Sequence, residues 1–297
     1  MTIGDDVAAV PQAEGRLVLK VDMLVEHTDV PAGMTFRQVA RKAVAMSVSD
    51  FAAKGVKPQS FMVSLGLKKG VTQEEVDALA SGFRAAEREW GVLLVGGDTN
   101  EADELVIDCA MVGFGKRVVP RRGARPGDEL VVTGPFGYPP AGLKILEGSA
   151  VAEPGFERTA KSSVLEPAPS LKVGLALAPF LSSAMDSSDG LARSLHTLAA
   201  DSAVGFEVGE LPTGKGVREF ASSNKLSIEE LVLQGGEEYV IVGTVPKSNL
   251  PKARAAVARA GGVLLEIGTV TPNAGEVVMA AGGTRRRIRD AGWTHLR

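Results

Sequence analysis

Carboxylates stand beside glycines at four places along the chain, and two further aspartates lie between the first two places. The segments are Gly4-Asp5-Asp6, Gly96-Gly97-Asp98-Thr99, Asp186-Ser187-Ser188-Asp189-Gly190 and Gly235-Gly236-Glu237-Glu238, and the single residues are Asp22 and Asp50. Such acids are poor core residues, because a buried charge without a partner is costly. They suit a site where the backbone approaches a ligand closely and oxygen atoms hold a hard cation. With only three histidines and one cysteine in the chain, they indicate magnesium and phosphate chemistry.

Each acid also has an ordinary structural explanation. The first pair could belong to a turn or a helix cap. The Asp98 segment follows an apolar run, either as a simple turn or at the place where open α/β sheets bind ligands. Asp50 is more informative, because Val48 and Phe51 predict a half-buried carboxylate that needs a cation or hydrogen-bond donors. A helix cap explains one acid of the Asp186 segment, but not its two acids and two hydroxyl groups together.

No serine–histidine or cysteine–histidine pair stands in a recognisable nucleophile context in the sequence. Transfer between phosphate groups needs no strong side-chain base, since a phosphate oxygen is already an anionic nucleophile. The obstacle is the repulsion between two polyanions, which bound cations relieve. The missing nucleophile context therefore agrees with phosphoryl transfer.

Composition limits the classes of protein that need to be considered. The 297 residues suit two domains or one large domain, and a net charge of −3 gives no basic footprint for nucleic acid. No apolar run approaches the roughly 20 residues that span a bilayer. The first residues show no basic segment followed by an apolar one, so we do not expect secretion. We expect a cytoplasmic protein without a membrane partner. The single cysteine, Cys109, lies in an apolar run and is expected to be buried in a strand.

Apolar periodicity predicts alternating strands and helices in the first half of the chain. Strands are predicted over 16–21, ending on Asp22, and over 60–67, 92–95 and 105–114, with helices over 35–54 and 72–90. The first helix has a cap at Thr35 and closes at Gly55. The second has Thr72 and Glu75 at the spacing of a capping box. The strand over 92–95 is expected to be short and buried, and to run straight into Gly96.

A segment rich in proline and glycine over 119–128 predicts a domain boundary. We expect one domain over 1–122 and a second over 123–297. In the second, strands are predicted over 129–133, 239–245 and 263–270, and helices over 141–147, 171–178, 191–200 and 251–260. Both halves are therefore predicted to be α/β.

Taken in order, these motifs resemble the thiamine-monophosphate kinase family, which shares the fold of aminoimidazole ribonucleotide synthetase. The matching segments include Ile3-Gly4-Asp5-Asp6, Asp22-Met23-Leu24-Val25-Glu26, the stretch 42–50, Gly96-Gly97-Asp98-Thr99, the stretch 121–128, Ser187-Ser188-Asp189-Gly190-Leu191, Gly235-Gly236-Glu237-Glu238-Tyr239 and Gly292-Trp293-Thr294-His295. The series covers nearly the whole chain, and its order is more specific than any single motif. The Asp22 and Trp293 segments are more similar to archaeal members than to bacterial ones.

The resemblance implies ATP-dependent phosphorylation of thiamine monophosphate to thiamine diphosphate, by direct in-line transfer with several magnesium ions. It also implies a PurM-like fold of two α/β domains. The N-terminal domain would bind ATP and magnesium, and its sheet would pair across a homodimer. ATP would lie near that dimer interface.

The motif positions imply three groups of site residues. The magnesium ligands would be Asp6, Asp22, Asp50, Asp98, Asp186 and Asp189. The residues contacting ATP would be Gly97, Asp98, Arg121 and Ser188. The residues contacting the thiamine part would be Asp29, Glu237 and Trp293. A cationic thiazolium and an aminopyrimidine suit acids and an aromatic face, whereas Asp5 and Glu238 are assigned to turns or caps.

Two departures and two alternatives accompany the resemblance. Lys20 and Val21 stand where many relatives carry hydroxyl residues, and Asp29 stands where bacterial members often carry histidine. One alternative is another ATP-dependent enzyme of this fold, of the aminoimidazole ribonucleotide synthetase type. The other is a non-catalytic nucleotide-binding regulator, which would need fewer magnesium ligands than the six present.

Overall fold

The computed structural model describes residues 5–294, so the motif residues Ile3, Gly4 and His295 lie outside the described part. The elements of the first half are β1 (Ala8–Gln12), β2 (Gly15–Val25), α1 (Glu26–Asp29), α2 (Phe36–Lys54), β3 (Pro58–Lys68), α3 (Gln73–Trp90), β4 (Leu93–Ala102) and β5 (Val106–Gly115). Among the described residues they form a five-stranded sheet in the order β1-β2-β5-β3-β4. We call this the N-terminal sheet.

The second half forms a larger mixed sheet. Its elements are β6 (Asp128–Val132), α4 (Tyr138–Leu146), α5 (Pro154–Leu165), α6 (Leu171–Leu177), β7 (Ser183–Ser187), α7 (Leu191–Ser202), β8 (Gly205–Val208), α8 (Val217–Ser223), β9 (Val240–Pro246), α9 (Leu250–Arg259), β10 (Leu265–Thr271), β11 (Val277–Ala281) and β12 (Thr284–Arg287), with short helical turns at Ala178–Phe180, Glu230–Gln234 and Lys247–Asn249. Its strand order over the described residues is β12-β11-β8-β10-β6-β9-β7. The predicted α/β class of both halves is confirmed. No helix in residues 5–294 is both long and apolar enough to cross a bilayer.

Local signals set the ends of the two long helices as predicted. The Thr35 hydroxyl accepts from the Gln38 backbone N–H, and the Gln38 side chain accepts from the Thr35 N–H. Thr72 and Glu75 form the same reciprocal pair at the start of α3. Each pair satisfies donors that the first helical turn leaves free. Gly55 ends α2 with a φ of 65°, a left-handed conformation that glycine adopts without strain.

Two predicted strand ends are wrong. β4 does not stop at residue 95 but continues through Asp98 to residue 102, because its backbone pairs in parallel with β3 along this length. It is also not buried, since Leu93 is 63% and Val95 is 61% exposed at the outer edge of the sheet. Asp22 lies inside β2 rather than at its end, paired in register with Cys109 of β5. Cys109 is fully buried, as predicted.

Helix α2 lies at the centre of the molecule and is buried on nearly every side. Its apolar residues share one core with residues of the second half, such as Ala184 and Ile241. Helix α6 approaches it closely, because a Cβ on Gly174 would lie 2.1 Å from the backbone oxygen of Ala52. The two halves therefore meet on α2, which carries groups into the space between them.

The two faces of the N-terminal sheet differ in their surroundings. α2 packs on one of them and donates a hydrogen bond from Ser47 to Asp22 of β2. Because successive side chains of a strand point to opposite faces, β2 shows which residues belong to each. The covered face carries Val18, Lys20, Asp22 and Leu24, and the open face carries Leu19, Val21 and Met23.

Candidate functional site

Three of the predicted aspartates come together between the two halves of the molecule. Asp6 precedes β1, Asp50 lies on α2 and Asp186 lies on β7. One carboxylate oxygen from each lies within 4.8 Å of those of the other two, and all three residues are buried. We call this set the acidic triad. Three elements far apart in the chain thus build one group of hard oxygen donors.

Burial and mutual repulsion act on the triad. Burial, followed by the carboxylate of Asp186, raises the pKa of Asp50 well above its usual range, and the ammonium of Lys20 opposes that rise. Burial and the neighbouring Asp6 raise the pKa of Asp186 to about 6. Like charges held together away from water favour the neutral acid unless cations balance them. The triad is therefore a place where added positive charge is stabilising.

Cationic side chains already balance part of this charge. The Lys54 ammonium is fully buried and lies 2.5 Å from Asp6 Oδ2 and 2.7 Å from Asp5 Oδ1. Arg121 Nε donates to Asp6 Oδ1 at 2.6 Å. On the other side, the Lys20 ammonium lies 2.7 Å from Asp50 Oδ2.

Asp22 joins this group through its neighbours. Its Oδ1 lies 3.0 Å from the Lys20 ammonium, and its Oδ2 accepts a hydrogen bond of 3.0 Å from Ser47. Ser49, two residues further along α2, donates to Asp186 Oδ2 at 2.8 Å. Ser47 and Ser49 therefore bind carboxylates from the first and second halves, respectively, next to Asp50 on the same helix. Carboxylate and hydroxyl oxygens of this kind fit a hard cation such as Mg²⁺.

Three further segments predicted to bear site residues, those of Ser188 and Asp189, Glu237, and Trp293, also meet. The Glu237 backbone N–H donates to the Ser188 carbonyl at 2.6 Å, and the Trp293 N–H donates to the Asp189 carbonyl at 3.0 Å. A Cβ on Gly292 would lie 2.2 Å from that same Asp189 oxygen, so only glycine permits this approach. Ser188 is exposed, and Trp293 is 50% exposed. Their side chains are thus accessible at the edge of the site.

Lys42 connects two of the residues assigned to substrate. Its buried ammonium forms an ion pair with Glu237 and donates to the backbone carbonyl of Asp29 at 2.7 Å. The Asp29 carboxylate points elsewhere, since it accepts from the Val25 N–H at 2.7 Å and from the Thr28 hydroxyl at 2.9 Å. Lys42 therefore fixes the position of Glu237 relative to the end of α1.

A cavity of about 670 Å³ opens beside Glu237. Its walls come from α4, α5 and the segment around Glu238, and include Tyr138, Arg158 and Ser162. Glu238 accepts a hydrogen bond of 2.5 Å from the Gly137 N–H, the residue just before α4. Burial raises the pKa of Glu238 well above its usual range.

Gly97 and Asp98 lie apart from the acidic triad. They are exposed on β4, in register with Val63 and Ser64 of β3. Val63 is buried on the covered face, whereas Ser64 and Asp98 belong to the open face. A Cβ on Gly97 would lie 2.2 Å from the Val63 carbonyl. Within a single described chain, Asp98 is on the face of the sheet opposite to Asp22.

The three lysines of the site were not assigned from the sequence, whereas Arg121 was. Lys42 and Lys54 stand on a predominantly apolar helix, and that is a usable signal for buried charge. Lys20 stands two residues before Asp22, the spacing that places both on one face of a strand. Asp5, assigned to a turn, accepts from the Asp6 N–H at 2.8 Å but also contacts Lys54.

Comparison with known proteins identifies the family. Models described as AIR synthase related protein, N-terminal domain and C-terminal domain, match residues 4–114 and 125–280. The thiamine-monophosphate kinase of Nitrosopumilus maritimus is 37% identical over 285 residues, 95% of this chain and 89% of that protein. The chain belongs to the thiamine-monophosphate kinase family.

Other members of the thiamine-monophosphate kinase family agree with this placement. The enzyme of Pyrococcus horikoshii is 34% identical over 99% of this chain and 91% of its own length. The solved structure of AaThiL complexed with AMPPCP and TMP superposes with a TM-score of 0.88 at 28% identity, covering 99% of this chain and 92% of that one. The PurM-like fold of two α/β halves predicted from the sequence is therefore confirmed.

Proposed function

We propose that this member of the thiamine-monophosphate kinase family transfers the terminal phosphoryl group of ATP to the phosphate of thiamine monophosphate, giving thiamine diphosphate and ADP. The observation that carries the proposal is the acidic triad, built between the two halves of a chain whose relatives bear that enzyme name. AaThiL, which has the same fold, was solved with AMPPCP and TMP.

The proposed reaction makes one P–O bond and breaks another. An oxygen of the thiamine monophosphate phosphate attacks the γ-phosphorus of ATP, and the bond to the β-phosphate oxygen breaks. The attacking oxygen is already anionic, so the chain needs no general base there. Bound Mg²⁺ would lower the repulsion between the two polyanions and stabilise charge on the transferring group.

The residues that we propose to hold Mg²⁺ lie at different places around the metal site. Asp6, Asp50 and Asp186 would form the centre of the metal site, with Asp22 next to them. Asp98 and Asp189 would contribute from β4 and from the loop after β7. We propose that Gly97, Asp98, Arg121 and Ser188 contact the nucleotide. Arg121, already beside Asp6, would add positive charge near the phosphates.

Thiamine monophosphate would lie beside the adjoining segments that carry Glu237 and Trp293. We propose that the thiamine part contacts Glu237, Asp29 and the Trp293 ring, and that the cavity beside Glu237 offers room for it. A carboxylate and an aromatic face suit a cationic heterocycle. Lys42 would keep the Glu237 side chain in place before substrate binds.

We propose that the open face of the N-terminal sheet is covered by a second copy of the chain. Val21 and Met23 are each 58% exposed, and Met62 is 52% exposed, which is unusual for a cluster of apolar side chains. The outer edge of the same sheet is β4, next to the strand β3 that carries Met62, and no other strand of the described residues pairs with that edge. A homodimer would bury both features and bring Asp98 into an enclosed environment.

A substrate comparison tests this function. Purified protein is incubated with ATP and, separately, with thiamine monophosphate, free thiamine or an aminoimidazole precursor, each with Mg²⁺ or with EDTA. We expect thiamine diphosphate and ADP only from thiamine monophosphate with Mg²⁺. Absence of that product would refute the proposal. ATP binding without turnover of any substrate would favour the regulator alternative.

A further inference from the structure

Lys20 lies within the acidic group rather than in solvent. Its side chain is only 19% exposed, although lysine normally keeps its ammonium in water. It shares the covered face of β2 with Asp22, two residues away. The ammonium lies 3.0 Å from Asp22 Oδ1 and 2.7 Å from Asp50 Oδ2. One cation therefore bridges carboxylates from two different elements.

The other cations of the site contact a different part of it. Lys54 contacts Asp5 and Asp6, and Arg121 contacts Asp6. Among the ion pairs within residues 5–294, only those of Lys20 involve Asp22 and Asp50. The Lys20 ammonium thus places one positive charge between Asp22 and Asp50.

We propose that Lys20 is a built-in cation of the site, and that its ammonium takes the place of a divalent ion between Asp22 and Asp50. The chain would then bind one divalent ion fewer than its carboxylates could otherwise hold. Lys20 would also keep Asp22 and Asp50 in position before any metal or nucleotide arrives. This inference rests on the proposed metal-binding function of the acidic triad.

The number of bound ions tests the proposal directly. The full chain, free of nucleotide, is titrated with Mn²⁺, and free Mn²⁺ is followed by electron paramagnetic resonance. We expect the Lys20→Met variant to bind one more Mn²⁺ per chain than the unchanged protein. The extra ion should be lost when Asp22→Asn is added, because its proposed ligands are Asp22 and Asp50. An equal number of ions in the unchanged chain and in Lys20→Met would overturn the proposal.

Lys68→Met is the matched control. Lys68 lies on β3 of the same sheet and pairs with Glu26, with a side chain that is 47% exposed. Lys68→Met removes one lysine charge, as Lys20→Met does, but from a side chain that is far more exposed. The Mn²⁺ count should stay that of the unchanged protein, and a gain equal to that of Lys20→Met would refute a specific role for Lys20.

Thermal unfolding provides a second measurement for the case in which Lys20→Met folds poorly without metal. Melting is measured in EDTA and in Mn²⁺ for both proteins. We expect a lower Tm for Lys20→Met in EDTA and a larger rise in Tm on adding Mn²⁺, because the ion replaces the lost ammonium. Equal rises would contradict the proposal.

The two proposals fail separately. A chain that binds Mn²⁺ as expected but does not phosphorylate thiamine monophosphate would refute the kinase function and leave Lys20 as the built-in cation. An active kinase whose Mn²⁺ count does not change in Lys20→Met would refute the inference about Lys20 alone.

Discussion

The carboxylates on the covered and open faces of the N-terminal sheet have very different surroundings. On the covered face, Asp22 is held by Lys20 and Ser47 next to the acidic triad. On the open face, Asp98 lies exposed on the outer strand β4, and the same face carries the exposed apolar side chains of Val21 and Met23 on β2. Both aspartates have the same predicted role, but only one has its surroundings completed by its own chain.

The difference shows that a buried carboxylate and an exposed one depend on the rest of the structure in different ways. Buried carboxylates need partners within the fold, because an unpaired buried charge is costly. The chain supplies those partners as Lys20, Lys54 and Arg121. An exposed aspartate needs none, and the exposed apolar surface on the same face is stabilised only when something covers it. Changes on the covered face should therefore alter chemistry, and changes on the open face should alter assembly first.

The largest effect is expected from Asp50→Asn at the centre of the covered side. We expect kcat/KM to fall by about a thousandfold, the order seen when a preorganised electrostatic contact to a transition state is lost. Circular dichroism should show a folded protein, because the amide keeps the shape of the side chain. Asp201→Asn, on the exposed side of α7, is the control and should retain full activity. Near-normal turnover by Asp50→Asn would remove Asp50 from the site.

The next effect concerns the open face. Val21→Asp places a charge where a second chain would bury it, at a cost of about 3 kcal/mol, which weakens association by about a hundredfold. Light scattering should then show monomers in place of dimers at micromolar concentration. Val151→Asp is the control, since Val151 is 79% exposed in the second half. Unchanged assembly in Val21→Asp would show that this face is not the dimer interface.

Asp98→Ala tests whether the two faces act in one reaction. We expect turnover to fall by about tenfold to a hundredfold, the range seen when groups that support a metal are lost. Mn²⁺ binding by the nucleotide-free protein should stay unchanged, because Asp98 lies outside the acidic triad. Asp103→Ala, exposed just beyond β4, should behave like the unchanged protein. Loss of Mn²⁺ binding in Asp98→Ala would instead join Asp98 to the triad.

A smaller and more selective effect is expected from Glu237→Gln. Losing the charge that we propose faces thiamine should raise KM for thiamine monophosphate by about tenfold, as expected for a hydrogen bond to a charged group. KM for ATP should change by less than about twofold. Glu147→Gln, exposed after α4, is the control. Equal rises in both KM values would argue against a substrate contact.

The last prediction is that a change on the open face leaves the covered face, where Cys109 is buried, unaltered. Burial raises the pKa of Cys109 to about 12, so at pH 8 about one thiol in ten thousand is ionised. A disulfide reagent should therefore label Cys109 only in denaturant, in Val21→Asp as well as in the unchanged protein. Because the raised pKa disfavours the thiolate, any native labelling should increase with pH. Fast labelling of native Val21→Asp would mean that the covered face had opened too.

Local sequence determined the parts of this fold that depend on near neighbours. Thr35 with Gln38, and Thr72 with Glu75, set the starts of α2 and α3 through bonds within three residues. Apolar periodicity was sufficient to place Cys109 in a buried strand. The order of the acidic motifs was sufficient to indicate the family, because that order does not depend on knowing any contact.

Only the tertiary structure decided how the charges are paired and which face each acid occupies. Lys42 meets Glu237 across 195 positions of the chain, a separation over which no local pattern carries information. The continuation of β4 through Asp98 depends on its pairing with β3, which overrides the turn tendency of two glycines. The physical reason is the same in both cases. A backbone edge or a buried charge is stabilised by partners that only folding brings within bonding distance.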